Sequence, residues 1–243
     1  MARVSRIALV TGSSSGIGAA VARRLGSDGF RGVVNSARSP AAGEAVAAEL
    51  PGGEYVQADI ADLDQARHLV AEAVRRCGRL DVLVNNAGVT QVIPHPDLEA
   101  ATPEVWRRLF DVNVLGTWQV TVAAMPHLRE TGDGCVINVS SLAGVRPLGS
   151  SIPYAASKAA VNHMTRLLAA AVGPQVRVNA VAPGLVDTPW TAGWDEARAL
   201  VEGTAPLHRS GQPEDIADTV AALVQAKYVT GDVWAVDGGF HLR

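Results

Sequence analysis

Short runs of β-branched and aliphatic residues alternate along the chain with longer segments rich in alanine and arginine. "RIALVTG" leads into "GIGAAVARRLGSDG", "GVVNSAR" into "AAGEAVAAEL", and "EYVQADI" into "DLDQARHLVAEAVRRC". "LDVLVNNAG" precedes a long helical stretch through "LFDVNVLGTWQVTVAAMPHLRE". "GCVINVSS", a helix carrying "YAASK", "QVRVNAVAPG", a polar helix from Pro213 and "VTGDVWAV" complete the series. The apolar runs are continuous rather than alternating, the pattern of strands buried on both faces of a parallel sheet. Seven such strand–helix alternations predict βαβ units with right-handed crossovers. The expected fold is α/β: one doubly wound domain over residues 1–243, about seven parallel strands flanked by helices. No interdomain linker or internal repeat interrupts it. The Pro/Gly-rich segments near 94–97 and 183–193 follow strands, where such a sheet places its ligand-binding loops.

Composition narrows the class. The 243 residues are 48% hydrophobic and 19% charged, enough for a core and too apolar for disorder. A net charge of −3 leaves no basic footprint for nucleic acid or an anionic membrane, and no apolar run is long enough to span a bilayer. Cys77 and Cys135 lie far apart, and the six histidines form no cluster with them or each other. Neither a metal nor a disulfide framework is expected, and a reducing cytoplasm fits. The apolar run of the N-terminal "MARVSRIALVTG" is too short for a signal peptide.

"TGSSSGIG", residues 11–18, ends the first strand and opens the first helix. Its glycines, Gly12, Gly16 and Gly18, with Ser14, Ser15 and Ile17 between them, depart from the G-x-G-x-x-G spacing. The physics is shared: a turn stripped of Cβ atoms admits a pyrophosphate, and the N–H groups and positive dipole end of the helix face the anion. The second strand ends in "VVNSAR", with Ser36 near the position of the carboxylate that takes the ribose 2′-OH of NAD. With no acid there and Arg38 close by, NADP(H) is favoured over NAD(H).

Tyr154 and Lys158 stand four residues apart on an alanine-rich helical segment, and Lys158 and Lys227 are the chain's only lysines. Residues at i and i+4 share a helix face. A free phenol titrates near 10, and a neighbouring ammonium would depress that value. Lowering it by about three units takes roughly 4 kcal/mol. Tyr154 so tuned would be the general acid for carbonyl reduction and the base for alcohol oxidation.

"TGSSSGIG", "NNAG" at 85–88, Asn113, Ser141, "YAASK" at 154–158, "PG" at 183–184 and the closing "VTGDVWAVDGG" together resemble the short-chain dehydrogenase/reductase family, from Ile7 to Gly239. The resemblance implies a Rossmann-like seven-stranded domain, a nicotinamide cofactor, and a homo-oligomer, tetramer or dimer, built on two long helices. It implies an active site of Asn113, Ser141, Tyr154 and Lys158. Ser141 is chosen over Ser140 because the family places this serine 13 residues before the tyrosine. Ser141 would hydrogen-bond the substrate oxygen, Lys158 would also hold the nicotinamide ribose, and Asn113 would anchor a water linking Lys158 to solvent. Asp59 and Ile60 would lie by the adenine, and Asn86, Ala87 and Gly88 by the adenosine ribose. Pro183 and Gly184 would turn the chain so that Val186 and Thr188 hold the carboxamide.

The substrate is expected to be a small carbonyl or alcohol compound, with a 3-oxoacyl group on a carrier protein as the alternative. A nucleotide-sensing protein on the same fold is the reading from a different class. An acidic carrier would want a basic patch, and Arg107, Arg108, Arg129 and Arg166 are the few cations on the flanking helices. Three departures from the family stand out: "LLAAAVGPQVRVN" lacks charges many relatives carry, "ALVQAKYVTGD" is shortened, and Ser15 replaces the basic residue of many NADP-preferring members. Val145, Leu148, Ile152, Trp190 and Trp194 are candidate pocket-lining residues, the last two in a substrate loop near 185–206. The tryptophans would either cover the substrate or pack on a partner subunit.

Overall fold

The computed structural model describes residues 5–243. Seven strands form one parallel sheet in the order β3-β2-β1-β4-β5-β6-β7. They are β1 (Ile7–Val10), β2 (Arg31–Ser36), β3 (Glu54–Gln57), β4 (Val82–Asn85), β5 (Gly134–Val139), β6 (Val176–Pro183) and β7 (Val233–Val236). The helices are α1 (Gly16–Ser27), α2 (Pro40–Glu49), α3 (Leu63–Cys77), α4 (Pro103–Phe110), α5 (Thr117–Glu130), α6 (Ile152–Val172), α7 (Asp195–Thr204) and α8 (Pro213–Gln225). The doubly wound seven-stranded architecture is the one the hydrophobic pattern predicts.

Every residue of β1, β4, β5 and β6 is buried, because helices cover both faces. Leu25 of α1, Val46 of α2 and Val220 and Leu223 of α8 pack on one face. Leu69 of α3, Val120 and Leu128 of α5 and Val172 of α6 pack on the other. Strand order reverses between β1 and β4, whose register pairs Val10 with Val84. Their carboxyl ends therefore open a crevice at the switch point, the position where such sheets bind ligands.

The long helical stretch after β4 is continuous but not uniform. A π-helical segment, Asp111–Gly116, joins α4 to α5 and carries Asn113. One wide turn of this kind re-aims a side chain without ending the helix. The shortened connection before β7 is closed by Arg177, which is only 8% exposed. Its guanidinium donates to the carbonyls of Leu223, Val224, Ala226 and Val229, so it satisfies the orphan acceptors at the end of α8.

Candidate active site

Gly12 takes a left-handed φ of 62°, and a Cβ there would come within 2.7 Å of the Ala87 backbone. Only glycine lets the β1 turn press against the strand-end loop after β4. A Cβ at Gly18 would likewise meet Asn86 Nδ2 at 2.4 Å. Ser15 has the extended backbone of a helix cap, yet its side chain makes no capping hydrogen bond. The first N–H groups of α1 thus lack a side-chain acceptor, and the turn is a cradle into which an anionic diphosphate fits.

Side chains from three strands brace this turn. The Thr11 hydroxyl accepts from the N–H groups of Asn86 and Ala87, while Asn86 Nδ2 donates to the carbonyls of Thr11 and Gly12. Asn35 Oδ1 accepts from Gly12 N–H, and its amide donates to the carbonyls of Val56 and Ala58. The Asn86 amide hydrogens are therefore spent on the turn. Thr11 and Asn35 went unnoticed in the sequence; a polar residue at the end of a buried strand was the only signal they offered.

A cavity of about 1520 Å³ runs from this cradle along the carboxyl edge of the sheet. It is lined by Gly12, Ser14, Ser15, Gly16, Ile17, Gly18, Ser36, Arg38, Asp59 and Ile60 at one end. Asn86, Ala87, Gly88, Ser141, Tyr154, Lys158, Pro183, Gly184, Val186 and Thr188 continue the wall. Leu148, Trp190 and Trp194 line it too, whereas Val145 and Ile152 do not. These two are 54% and 39% exposed. The expectation that they face substrate is corrected: Val145 follows the short helical turn Leu142–Gly144 and Ile152 opens α6, and both side chains point to solvent.

Tyr154 and Lys158 lie on the first turns of α6, which starts at the cap residue Ser151, whose hydroxyl accepts from Tyr154 N–H at 3.4 Å. Tyr154 is half-buried, and Trp190 meets its ring edge-on with centroids 6.4 Å apart. Lys158 is only 4% exposed, its Nζ 5.9 Å from the Tyr154 ring centre and 2.9 Å from the Val139 carbonyl to which it donates. Burial pushes the ammonium down to about 8. Burial also raises the Tyr154 phenol, and the Ser141 hydroxyl is the group that pulls it back. Lys158 adds no lowering beside these two causes, its ammonium being turned toward the Val139 carbonyl.

The adjacent serines are sorted by their partners. Ser140 is 4% exposed and its hydroxyl donates to the Lys158 carbonyl. Ser141 remains partly open beside the phenol, accepting from Ala143 N–H. Asn113 is buried behind the cavity wall: Oδ1 accepts from Val89 N–H, and Nδ2 donates to the Val89 carbonyl and to Ser157 Oγ. Both amide hydrogens are used, so its side chain pins the loop after β4 to α6.

The loop after β6 closes the other side. Thr188 Cγ2 would lie 3.3 Å from a Cβ at Gly16, so the loop reaches the glycine turn before α1. Asp187 holds it in place by accepting from Arg198 Nε of α7 and Gln212 Nε2 at the start of α8. Ser36 spends its hydroxyl on Tyr55 at 2.8 Å, and Arg38 stands exposed on the wall just before α2.

Comparison with known proteins accords with this geometry. A family model described as enoyl-(acyl carrier protein) reductase matches residues 12–241. The chain is 61% identical over 239 residues to "Granaticin polyketide synthase putative ketoacyl reductase 2" of Streptomyces violaceoruber, covering 97% of this chain and 96% of that one. It is 38% identical to the 3-oxoacyl-[acyl-carrier-protein] reductase of Synechocystis sp., covering 98% of each. A crystal structure titled "putative short-chain dehydrogenase/reductase from Burkholderia xenovorans" superposes with a TM-score of 0.92 at 36% identity, covering 99% of this chain and 100% of that chain. The chain belongs to the short-chain dehydrogenase/reductase family, whose members are NAD(P)-dependent oxidoreductases interconverting ketones and secondary alcohols.

Proposed function

We propose that this enzyme uses NADP(H), with Tyr154 as proton donor to the carbonyl oxygen and Ser141 as the second hydrogen-bond donor to it. The observation that carries the reading is the convergence of Ser141, Tyr154 and Lys158 on one cavity wall that continues into the glycine cradle of α1. A bound nicotinamide supplies the hydride. Gly12 to Gly18 and the α1 N-terminus hold the diphosphate, and Val186 and Thr188 on the loop that reaches Gly16 hold the carboxamide. Lys158 stabilises the phenolate left after proton transfer, and Asn113 acts by positioning, fixing Val89 and α6 against each other. Arg38 with the uncapped start of α2 takes the 2′-phosphate; Ser39 there makes no side-chain cap.

The most similar relatives named above are ketoacyl and 3-oxoacyl carrier-protein reductases, which favours a β-ketoacyl thioester as the second substrate reading. On this chain Arg108, which lines the cavity, is the cation that such a reading would use. Leu115, Trp118 and Val122 leave an exposed apolar stripe at i, i+3 and i+7 along the π segment and α5, which supports a homo-oligomer. Two free thiols, Cys77 and Cys135, suit a cytoplasmic setting, and among the described residues no helix is long and apolar enough to cross a membrane.

Following absorbance at the reduced-nicotinamide band with a ketone panel tests turnover, and absence of oxidation with every ketone would refute the reductase direction. Fluorescence titration tests the cofactor. NADPH is expected to bind more tightly than NADH, and Arg38→Glu to weaken NADPH by roughly tenfold to a hundredfold, the worth of one charge-assisted contact. Tighter NADH binding by the unaltered protein would overturn the assignment of Arg38.

A further inference from the structure

The chain holds five tryptophans, three tyrosines and three phenylalanines. Of these few, Tyr154, Trp190, Trp194 and Phe240 line the cavity at the carboxyl edge of the sheet. Phe240 opens the short helical turn Phe240–Leu242 after β7. It sits on a turn following β7 in which Gly238 and Gly239 take left-handed φ values of 62° and 82° and reverse the chain. The Asp237 carboxylate, its side chain 2% exposed, accepts from the N–H groups of Gly239 and His241. His241 Nδ1 lies 2.9 Å from the same carboxylate.

Two further bonds fix where the turn lies. Leu207 N–H donates to the Gly238 carbonyl, and Arg146 Nη2 donates to the Arg243 carbonyl at 2.8 Å. The turn is thereby clasped between the loop after β5 and the segment after α7. The loop after β5 supplies Pro147 and Leu148 to the cavity wall, and α7 itself supplies Leu200 and Val201. An aromatic held in place by these bonds, on a wall that also carries apolar side chains, offers contact area and no proton donor, so it suits the body of a substrate, while Ser141 and Tyr154 suit its carbonyl.

Resting on the ketone-reductase reading, we propose that Phe240 is a specificity-determining residue and that the body it selects is a flat ring system. Aromatic walls gain from ring edges and faces beyond the apolar area they cover, and a flexible alkyl chain also loses rotor freedom when confined. A ring-fused ketone such as 2-tetralone and the linear 2-decanone carry the same ten carbons, so their comparison isolates shape.

The expected result is that kcat/KM for 2-tetralone exceeds that for 2-decanone at least tenfold, and that Phe240→Ala lowers this ratio about tenfold while Phe240→Tyr keeps it. Phe240→Leu, of similar bulk without a ring, replaces the alanine variant if that variant does not fold, as judged by lost NADPH binding. A ratio near unity in the unaltered enzyme, or one untouched by loss of the ring, would overturn the proposal. If neither ketone turns over, the ketone panel decides the reductase reading, and quenching of tryptophan fluorescence by 2-tetralone on the NADPH-loaded protein decides the role of Phe240. Binding weakened about tenfold by loss of the Phe240 ring upholds the wall, and equal binding refutes it.

Discussion

Tyr154→Phe is expected to lower kcat/KM for ketone reduction by about a thousandfold, within the range that a positioned general acid contributes. Only one hydroxyl is removed. The ring that Trp190 packs against stays, as does the Ser151 cap on Tyr154 N–H, so the start of α6 should keep its shape. NADPH affinity should therefore change less than about tenfold, because one buried hydrogen bond at most is withdrawn from the cofactor side. Steady-state kinetics beside a fluorescence titration separates the two quantities. A parallel collapse of turnover and cofactor binding would make Tyr154 a scaffold residue and end the acid–base account. Since burial raises the phenol, the residue is protonated throughout the neutral range and ready to donate to a carbonyl. Its recovery as a base in alcohol oxidation is the direction that needs the Lys158 charge.

Lys158→Met is expected to separate stability from activity. In the folded protein the ammonium titrates at about 8 against an ordinary 10.5, because burial disfavours its charged form. Below pH 8 both states carry the proton and the folded state bears the full desolvation cost, roughly 3 kcal/mol. As pH rises from about 8 the folded lysine releases its proton before the unfolded one, so stability increases with pH. Above about 10 the raised Tyr154 phenol opposes this, since the unfolded tyrosine then ionises more readily than the folded one.

Methionine removes the buried charge and also the bond to the Val139 carbonyl, about 1 kcal/mol in the other direction. The cofactor-free variant should therefore melt a few degrees above the unaltered protein at pH 7, with the gap closing toward pH 10. Its turnover should fall about a hundredfold for want of a cation beside the phenolate. Thermal melts of both proteins at pH 7 and 9.5 check this. Equal or lower melting of the variant at pH 7 would show that the lysine carries no burial cost in the native state.

The fold was legible because burial on both sheet faces writes itself as unbroken apolar runs, and β1, β4, β5 and β6 are buried along their whole length. The glycine turn after β1 was legible because a left-handed, Cβ-free corner demands glycine at 12. Tyr154 and Lys158 could be paired because four residues make one helical turn. Nothing local marked Thr11, Asn35 or Arg177, whose partners lie just after other strands or in and beyond the last turn of α8. Phe240 was equally silent; its place in the cavity follows from a turn clasped by Arg146 and Leu207, distant in the chain.

By itself, then, the order of residues determined the layers of the fold, the glycine corner and the helix face that carries the phenol and the ammonium, since each depends on backbone period or steric room. Tertiary structure alone decided that Val145 and Ile152 face solvent, that the Asn113 side chain is consumed as a brace, and that burial presses on the Tyr154 phenol. Those outcomes turn on desolvation and on partners brought from far along the chain, quantities that exist only once the core has closed.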